Sequence, residues 1–165
     1  MLMQNIVVAA YSDADRQGVL DVILPIQQQE FGIPITEADQ PDLTNVRNFY
    51  QTGTGGFWVA RSNDEVVGTV GLKDIGAGQA ALRKMFVAAS FRGRELGVAG
   101  KLLDVLVAHA RAQGIVEIFL GTTDKFLAAH RFYEKKGFKE LQKADLPKAF
   151  PIMAVDSKFY VLNVS

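Results

Sequence analysis

A glycine-bearing segment with two arginines, residues 91–103, carries the residue types that bind phosphate. Arg92 and Arg94 have planar charged groups suited to paired contacts with phosphate oxygens. Gly93 and Gly97 permit a tight turn, and apolar residues at spacings of three and four after Gly97 predict a buried helix. The first N–H groups of a helix have no partner within it, and the helix dipole adds about half a positive charge there. The segment therefore predicts a phosphate-binding turn that opens a helix.

A second group with chemical potential lies about 35 residues further along, in a predicted helix over 126–136. Tyr133 shares one face of this helix with Phe126, Ala129 and Phe132. A phenol with an ordinary pKa of about 10 can donate a proton to a departing thiolate. The helix alone favours a simpler interpretation, in which Tyr133 packs in the core with its hydroxyl hydrogen-bonded. The two segments together favour the proton donor.

These two segments resemble the signatures of the GNAT N-acetyltransferase superfamily. The run from Arg94 to Ala99, with Gly97 between them, matches the family's acyl-CoA-binding motif, and Tyr133 followed by Gly137 and Phe138 matches its second motif. The resemblance covers roughly residues 66–138. It implies that acetyl-CoA is the co-substrate, that backbone amides of the turn wrap its pyrophosphate, and that Tyr133 is the general acid.

The resemblance also implies a set of cofactor-binding residues. They are Met85, Phe86, Val87, Arg92, Gly93, Arg94, Glu95, Leu96, Gly97, Val98, Ala99, Gly100, Phe126, Ala129 and Tyr133. Two positions depart from the family pattern, because Phe126 stands where many relatives have an Asn that binds the pantetheine arm, and Glu95 stands where glycine is common. Either Thr122, Thr123 or a backbone group replaces the missing Asn, or that contact is absent.

Hydrophobic patterns outline the remaining elements. Strands are predicted over 6–10, 57–61, 66–72, 80–87, 116–122 and 158–163, and helices after residue 12, over 42–50, after Gly97 and over 126–136. Short links among the second to fourth strands predict an antiparallel meander, whereas the helix after Gly97 predicts a parallel crossover. We expect one α/β (α+β) domain over residues 1–165 with the GNAT fold: a mixed, mostly antiparallel sheet of six to seven strands with about four helices.

Composition limits the classes of function. Lys plus Arg and Asp plus Glu both number 18, which gives no net charge that would favour nucleic acid or an anionic membrane. The chain has no cysteine, so disulfides and a thiolate nucleophile are excluded, and its two histidines do not form an evident metal site. His109 is expected at the surface, and His130 is expected to point away from the inward face of its helix. We expect a cytoplasmic protein that binds no metal, membrane or nucleic acid. The sequence leaves open whether it forms a homodimer.

The expected reaction is direct attack of an amine, from a small molecule or a peptide, on the thioester in a ternary complex. Backbone N–H groups of residues 85–87 would polarise the carbonyl. The base is left open among four acids, namely Glu30, Glu37, Asp74 and Asp124. The acidic residues Glu37, Asp39 and Asp42 suggest a cationic acceptor, or else a solvated face. Residues 150–153 either line the acceptor cleft or pack in the core.

Two other classes of function use a glycine-bearing phosphate-binding turn. A non-catalytic acyl-CoA-binding module would keep the phosphate-binding turn without needing Tyr133, so the intact Tyr133 counts against it. A P-loop nucleotide-binding enzyme is excluded, because no Gly-Lys-Ser/Thr sequence opens a helix.

Overall fold

A single β-sheet forms the centre of the fold. The computed structural model describes residues 5–93, 96–124 and 126–165. Within them, seven strands pair in the order β1-β2-β3-β4-β5-β7-β6. Their bounds are β1 Ile6–Ala10, β2 Gly56–Ser62, β3 Glu65–Gly76, β4 Gln79–Val87, β5 Glu117–Thr122, β6 Lys139–Leu141 and β7 Lys158–Asn163. Every neighbouring pair is antiparallel except β4 and β5, which are parallel. The predicted mixed, mostly antiparallel sheet is confirmed.

The described residues form five α-helices where about four were predicted. They are α1 Arg16–Pro25, α2 Pro41–Thr44, α3 Val46–Phe49, α4 Val98–Ala112 and α5 Leu127–Lys135. The extra helix arises because the predicted helix over 42–50 divides at Asn45, whose backbone (φ −143°, ψ 57°) is not helical. Pro25 ends α1, as its missing N–H predicts, and a π-helical turn over Ile26–Glu30 continues the chain.

Two apolar clusters hold the helices against opposite faces of the sheet. Leu102, Leu106 and Ala110 of α4 are fully buried in one cluster, with side chains of β2 to β5. Val19 and Ile23 of α1 are buried in the other, with residues of α2, α3 and β2. The sheet is therefore covered on both sides, and it opens where two neighbouring strands separate.

That opening lies between β4 and β5. The two strands pair only from Gln79 with Glu117 to Ala81 with Phe119, although both continue for several residues. Beyond that point β4 is also irregular, because Lys84 adopts a left-handed backbone (φ 57°) and its carbonyl accepts a hydrogen bond from Thr69 Oγ1 at 2.7 Å. A bulge of this kind bends a strand locally. The divergence of β4 from β5 leaves a cleft at the centre of the sheet.

None of the helices in the described ranges has both the length and the apolar character needed to cross a bilayer.

Candidate active site

The cleft between β4 and β5 encloses about 280 Å³ and is mostly apolar. Its walls come from the diverging ends of the two strands, the start of α5, the loop after α1 and the segment before β7. The lining residues are Gln27, Ile33, Ile35, Leu82, Arg83, Lys84, Met85, Phe86, Leu120, Gly121, Thr122, Thr123, Phe126, Ala129, Tyr133, Phe150, Pro151, Met153, Ala154, Val155 and Asp156. Phe150 also packs in a buried cluster with Phe159, so this segment both lines the cleft and fills the core.

Tyr133 lines this cleft and is only 6% exposed. Its ring packs edge-on against Phe138, with the ring centroids 5.3 Å apart. No hydrogen bond between residues of the described ranges involves its hydroxyl, which therefore differs from the hydrogen-bonded hydroxyl of the core alternative. Burial raises the pKa of Tyr133 well above its usual value, so the phenol keeps its proton at neutral pH.

A second cavity, a groove of about 560 Å³, lies beside the turn that opens α4. One wall consists of the end of β4 and the turn before α4, with Val87, Phe91, Arg92, Gly93 and residues 97–100. The other wall consists of α5 and the residue that follows it. Its lining residues are Ala128, Arg131, Phe132 and Lys135 of the helix, and Lys136 after it. Gly97 is the N-cap of α4 in a left-handed conformation (φ 60°), and Lys101 N–H donates to its carbonyl at 2.9 Å. The N–H groups of residues 98–100 precede this first helical bond and have no partner within the helix. The turn before α4 therefore presents N–H donors without helical partners beside the groove.

Four of the predicted cofactor residues, Arg94, Glu95, Leu96 and Phe126, differ from the rest in what the structure describes of them. Arg94 and Glu95 lie outside the described residues. Leu96 is half-buried against the core. Phe126 is the residue before α5, and its ring packs on Phe31 at a centroid distance of 4.2 Å, so it supplies an apolar surface to the cleft.

The groove and the cleft adjoin along two elements. On β4, Met85 and Phe86 line the cleft, whereas Val87 lines the groove. On α5, Ala129 lines the cleft and Ala128 lines the groove. An extended ligand with an anionic end beside α4 could therefore place its other end next to Tyr133.

The groove is cationic, partly through residues that the sequence did not single out. Arg131, Lys135 and Lys136 border it from the side of α5. The sequence does contain a signal for them: Lys135 and Lys136 follow Arg131 by four and five residues, which places all three on the exposed side of the predicted helix. Arg92 borders it from the other side, but Glu30 occupies its guanidinium group by a two-pronged contact, with Nη2 to Oε2 at 2.9 Å.

The four acids considered as bases do not line the cleft. Glu30 pairs with Arg92, and Glu37 pairs with Arg16 at 2.8 Å. Asp74 accepts the backbone N–H groups of Thr54, in the turn before β2, and of Gly76, the last residue of β3. Asp124 is exposed at the end of β5. The acids proposed to attract a cationic acceptor also face elsewhere, because Asp39 accepts from Thr36 and buried Asp42 accepts from Tyr50.

Asp156 is the acid that does line the cleft, and the sequence did not indicate it. Its Oδ2 accepts the Met153 N–H at 2.9 Å and lies against Gly121 of β5. Burial raises the pKa of Asp156 above its usual value, and the backbone hydrogen bond and Arg83 lower it to a smaller extent. A carboxylate with a raised pKa in a cleft is a stronger base than an exposed one.

Neither histidine lines the cleft or the groove. His109 is half-buried and contacts the carbonyl of Thr54 at 3.0 Å. The prediction for His130 was wrong, because its side chain is buried and its Nε2 lies 2.9 Å from the Thr123 carbonyl oxygen. His130 closes the first turn of α5 onto the end of β5, which fixes the helix that carries Tyr133.

Comparison with known proteins agrees with this geometry. The family model described as Acetyltransferase (GNAT) family matches residues 20–138. A crystal structure of a GNAT-family acetyltransferase from Staphylococcus aureus Mu50 is 40% identical, covers 98% of this chain and 100% of its own, and superposes with a TM-score of 0.93. N-acetyltransferase 8B of Rattus norvegicus is 33% identical over 131 residues, which are 75% of this chain and 57% of the relative. The chain spans about half the length of the curated relatives that it matches.

A more distantly related structure contains coenzyme A. PaiA N-acetyltransferase from Thermoplasma acidophilum, crystallised with coenzyme A, shares the fold with a TM-score of 0.74 at 15% identity and covers 96% of this chain and 99% of its own. The strand order, the turn before α4 and the matched family model all give one answer: this chain belongs to the acetyltransferase (GNAT) family.

Proposed function

We propose that this chain is an N-acetyltransferase that moves the acetyl group of acetyl-CoA to an amine of a small molecule or peptide. The observation that carries the proposal is the hydroxyl of Tyr133, which lines the cleft without a hydrogen-bond partner in the described part of the chain. A buried polar group is normally hydrogen-bonded, so an open hydroxyl suggests a position kept for a ligand. The coenzyme A bound by a protein of the same fold supports the choice of co-substrate.

In this proposal the groove holds the anionic part of the cofactor. The N–H groups at the start of α4 receive the pyrophosphate, and the cationic side chains along the groove neutralise it. Arg94 and Glu95 belong to the same turn by the sequence motif. The pantetheine arm then passes between the end of β4 and α5, beside Val87 and Ala128, and brings the thioester into the cleft.

The reaction proceeds by direct attack. The amine gives up a proton to Asp156, directly or through water, and its nitrogen forms a bond to the thioester carbonyl carbon. Backbone N–H groups of residues 85–87 stabilise the charge on the carbonyl oxygen. The carbon–sulfur bond then breaks, and the thiolate takes the proton of the Tyr133 hydroxyl. The nitrogen, which still carries one extra proton after the attack, returns a proton to the Tyr133 phenolate through water. Asp156 releases the first proton to solvent, so both side chains regain their starting forms. The products are an N-acetylated amine and coenzyme A.

The placement of the two groups suits these roles. Tyr133 lies on α5 and Asp156 lies on the segment before β7, and both border the same cleft. Burial keeps the phenol protonated and raises the pKa of the carboxyl, so an acid and a base coexist at neutral pH. Glu30, Glu37, Asp74 and Asp124 do not line that cleft.

The test measures thiol release from acetyl-CoA across a panel of amines, for the wild type and Tyr133→Phe. Loss of a general acid lowers turnover by about 10²- to 10⁴-fold, and we expect coenzyme A affinity to stay nearly constant. Tyr160→Phe is the matched control, since the Tyr160 hydroxyl donates to Glu134 and its residue does not line the cleft. Equal losses of turnover and cofactor affinity, or no loss of either, would remove the proton-donor role. Coenzyme A binding with no thiol release from any amine would favour a non-catalytic acyl-CoA-binding module.

We further propose that residues 1–165 act as one domain and that the protein works in the cytoplasm. Limited proteolysis that yields a single stable core, and fluorescence localisation in cells, test these two points.

A further inference from the structure

The cleft has few charged side chains, and their positions indicate which kind of acceptor it can bind. Three of the described lining residues are charged, namely Arg83, Lys84 and Asp156. Two are cations on β4 and one is an anion on the segment before β7. A cleft that only had to admit an alkylamine would need no cation, because like charges repel a protonated amine.

Lys84 already has partners. Its Nζ donates to Gln40 Oε1 at 2.5 Å and lies 3.8 Å from Asp42 Oδ2. Gln40 in turn forms a reciprocal amide pair with buried Gln27. The side chain of Lys84 is 8% exposed, and this network fixes the bulge in β4. The side chain of Lys84 is therefore held inside the protein by Gln40 and by the nearby carboxylate of Asp42.

The side chain of Arg83, in contrast to that of Lys84, has only weak partners within the described ranges. No ion pair in the described part of the chain includes it, and the one hydrogen bond that its side chain makes to a described residue runs from Nη2 to the thioether sulfur of Met153 at 3.3 Å. Its guanidinium carbon lies 5.5 Å from the centre of the Phe49 ring. A thioether is a weak acceptor, whereas the guanidinium offers five N–H donors in a fixed plane. A carboxylate fits such a fork well, because it accepts two parallel hydrogen bonds from the guanidinium.

Met153 connects this cation to the anion of the cleft. Arg83 donates to its sulfur, and Asp156 accepts its backbone N–H. Asp156 and Arg83 nevertheless do not form an ion pair within 4 Å. The two charges therefore border the same cleft and both contact Met153, without pairing with each other.

From this arrangement we propose that the acceptor is an amino acid, an amine with a carboxylate a few bonds away. Its carboxylate binds the guanidinium of Arg83, and its amine faces Asp156 and the thioester. The inference rests on the proposed function and specifies its substrate class. Arg83 is a specificity-determining residue here, and it takes no part in proton transfer.

The experiment compares amino acids with their primary amides, using glycine, β-alanine and γ-aminobutyrate. The measured quantity is the ratio of kcat/KM for each acid to that for its amide. Hydrogen bonds to a charged partner favour the acid by about ten- to a hundredfold, and Arg83→Met should reduce this ratio by the same factor. Arg83→Lys should restore part of it, since the charge returns without the fork. Lys73→Met is the matched control, because Lys73 also stacks on Phe49 but does not line the cleft.

The outcomes separate the inference from the proposed function. Thiol release with equal kcat/KM for acids and amides would overturn the amino acid acceptor and leave the acetyltransferase proposal standing. The same holds if Arg83→Met and Lys73→Met change the ratio equally. If no amine supports thiol release, titration of N-acetylglycine into the coenzyme A-loaded protein reads the subsite without turnover. Binding lost in Arg83→Met supports the inference, and binding absent in the wild type or unchanged in that variant overturns it. Thermal melting of each variant confirms that it folds.

Discussion

Glu30 and Arg92 form a two-pronged ion pair, and Arg92 borders the groove. The guanidinium of Arg92 contacts both carboxylate oxygens of Glu30, and its Nε donates to the carbonyl of Val87 at 2.9 Å. Arg92 lowers the pKa of Glu30 below its usual value, mainly through the side-chain hydrogen bond. The arginine assigned to the cofactor phosphate is therefore matched with a protein carboxylate, and phosphate must compete with Glu30 for it.

Replacing Glu30 tests this competition. In Glu30→Gln the carboxylate charge is gone, and Arg92 becomes available to phosphate. We expect coenzyme A to bind about two- to fivefold more tightly, a small effect because partly exposed ion pairs contribute little. Isothermal titration calorimetry measures it. Glu37→Gln removes a similar pair with Arg16, which does not border the groove, and should leave the affinity constant. Weaker binding in Glu30→Gln would mean that the pair itself shapes the site.

Arg94 provides a second test of the phosphate assignment, which rests on the sequence motif. We expect Arg94→Ala to weaken coenzyme A binding by about tenfold, since a charge-assisted contact to phosphate is lost. The loss should shrink as salt is added, because ions screen the same attraction in the wild type. Titrations at low and high salt measure both effects. Arg47→Ala, which removes an exposed arginine paired with Asp13, is the control. Unchanged affinity in Arg94→Ala would contradict the assignment.

The sequence predicted the sheet and the helices around Tyr133 well, because local patterns determine them. Gly97 before a long apolar face predicted the start of α4, and Gly137 after the helix of Tyr133 predicted its end. The prediction over 42–50 was partly wrong, because Asn45 breaks the helix into two short pieces that tertiary packing stabilises. Apolar periodicity is the same on both sides of such a break and does not show it.

The charged residues of the acceptor cleft could not be found in this way. Arg83 and Asp156 are far apart in sequence, and they approach each other because β4 and β5 stop pairing after Ala81. No local pattern marks that divergence, and Asp156 follows a segment without helical or strand periodicity. His130 was misplaced for a related reason, since it is buried by a contact with the Thr123 carbonyl, which helical periodicity does not contain.

Asp156→Asn tests the base directly. Without the carboxylate, the amine must lose its proton to water, and we expect kcat/KM for alkylamines to fall by about 10²- to 10³-fold. Weakly basic acceptors such as hydrazides are already neutral at the assay pH, so their loss should be much smaller. Thiol release with both acceptor types measures the difference. Asp124→Asn, an exposed acid outside the cleft, is the control. An equal loss for both acceptor types would assign Asp156 to binding rather than to proton transfer.

The stability of the same variant gives an independent check on the burial of Asp156. Because burial raises the pKa of this carboxyl in the folded state, folding favours its protonated form. Its contribution to stability is fully present below the unfolded pKa of about 3.9 and is lost as the pH rises through the folded pKa. Asn stays neutral throughout and can still accept the Met153 N–H. The melting temperature of Asp156→Asn minus that of the wild type should therefore become more positive between pH 4 and pH 7. A difference that stays constant, or falls, would show that the carboxylate carries no desolvation cost, and the argument for its raised basicity would fail with it.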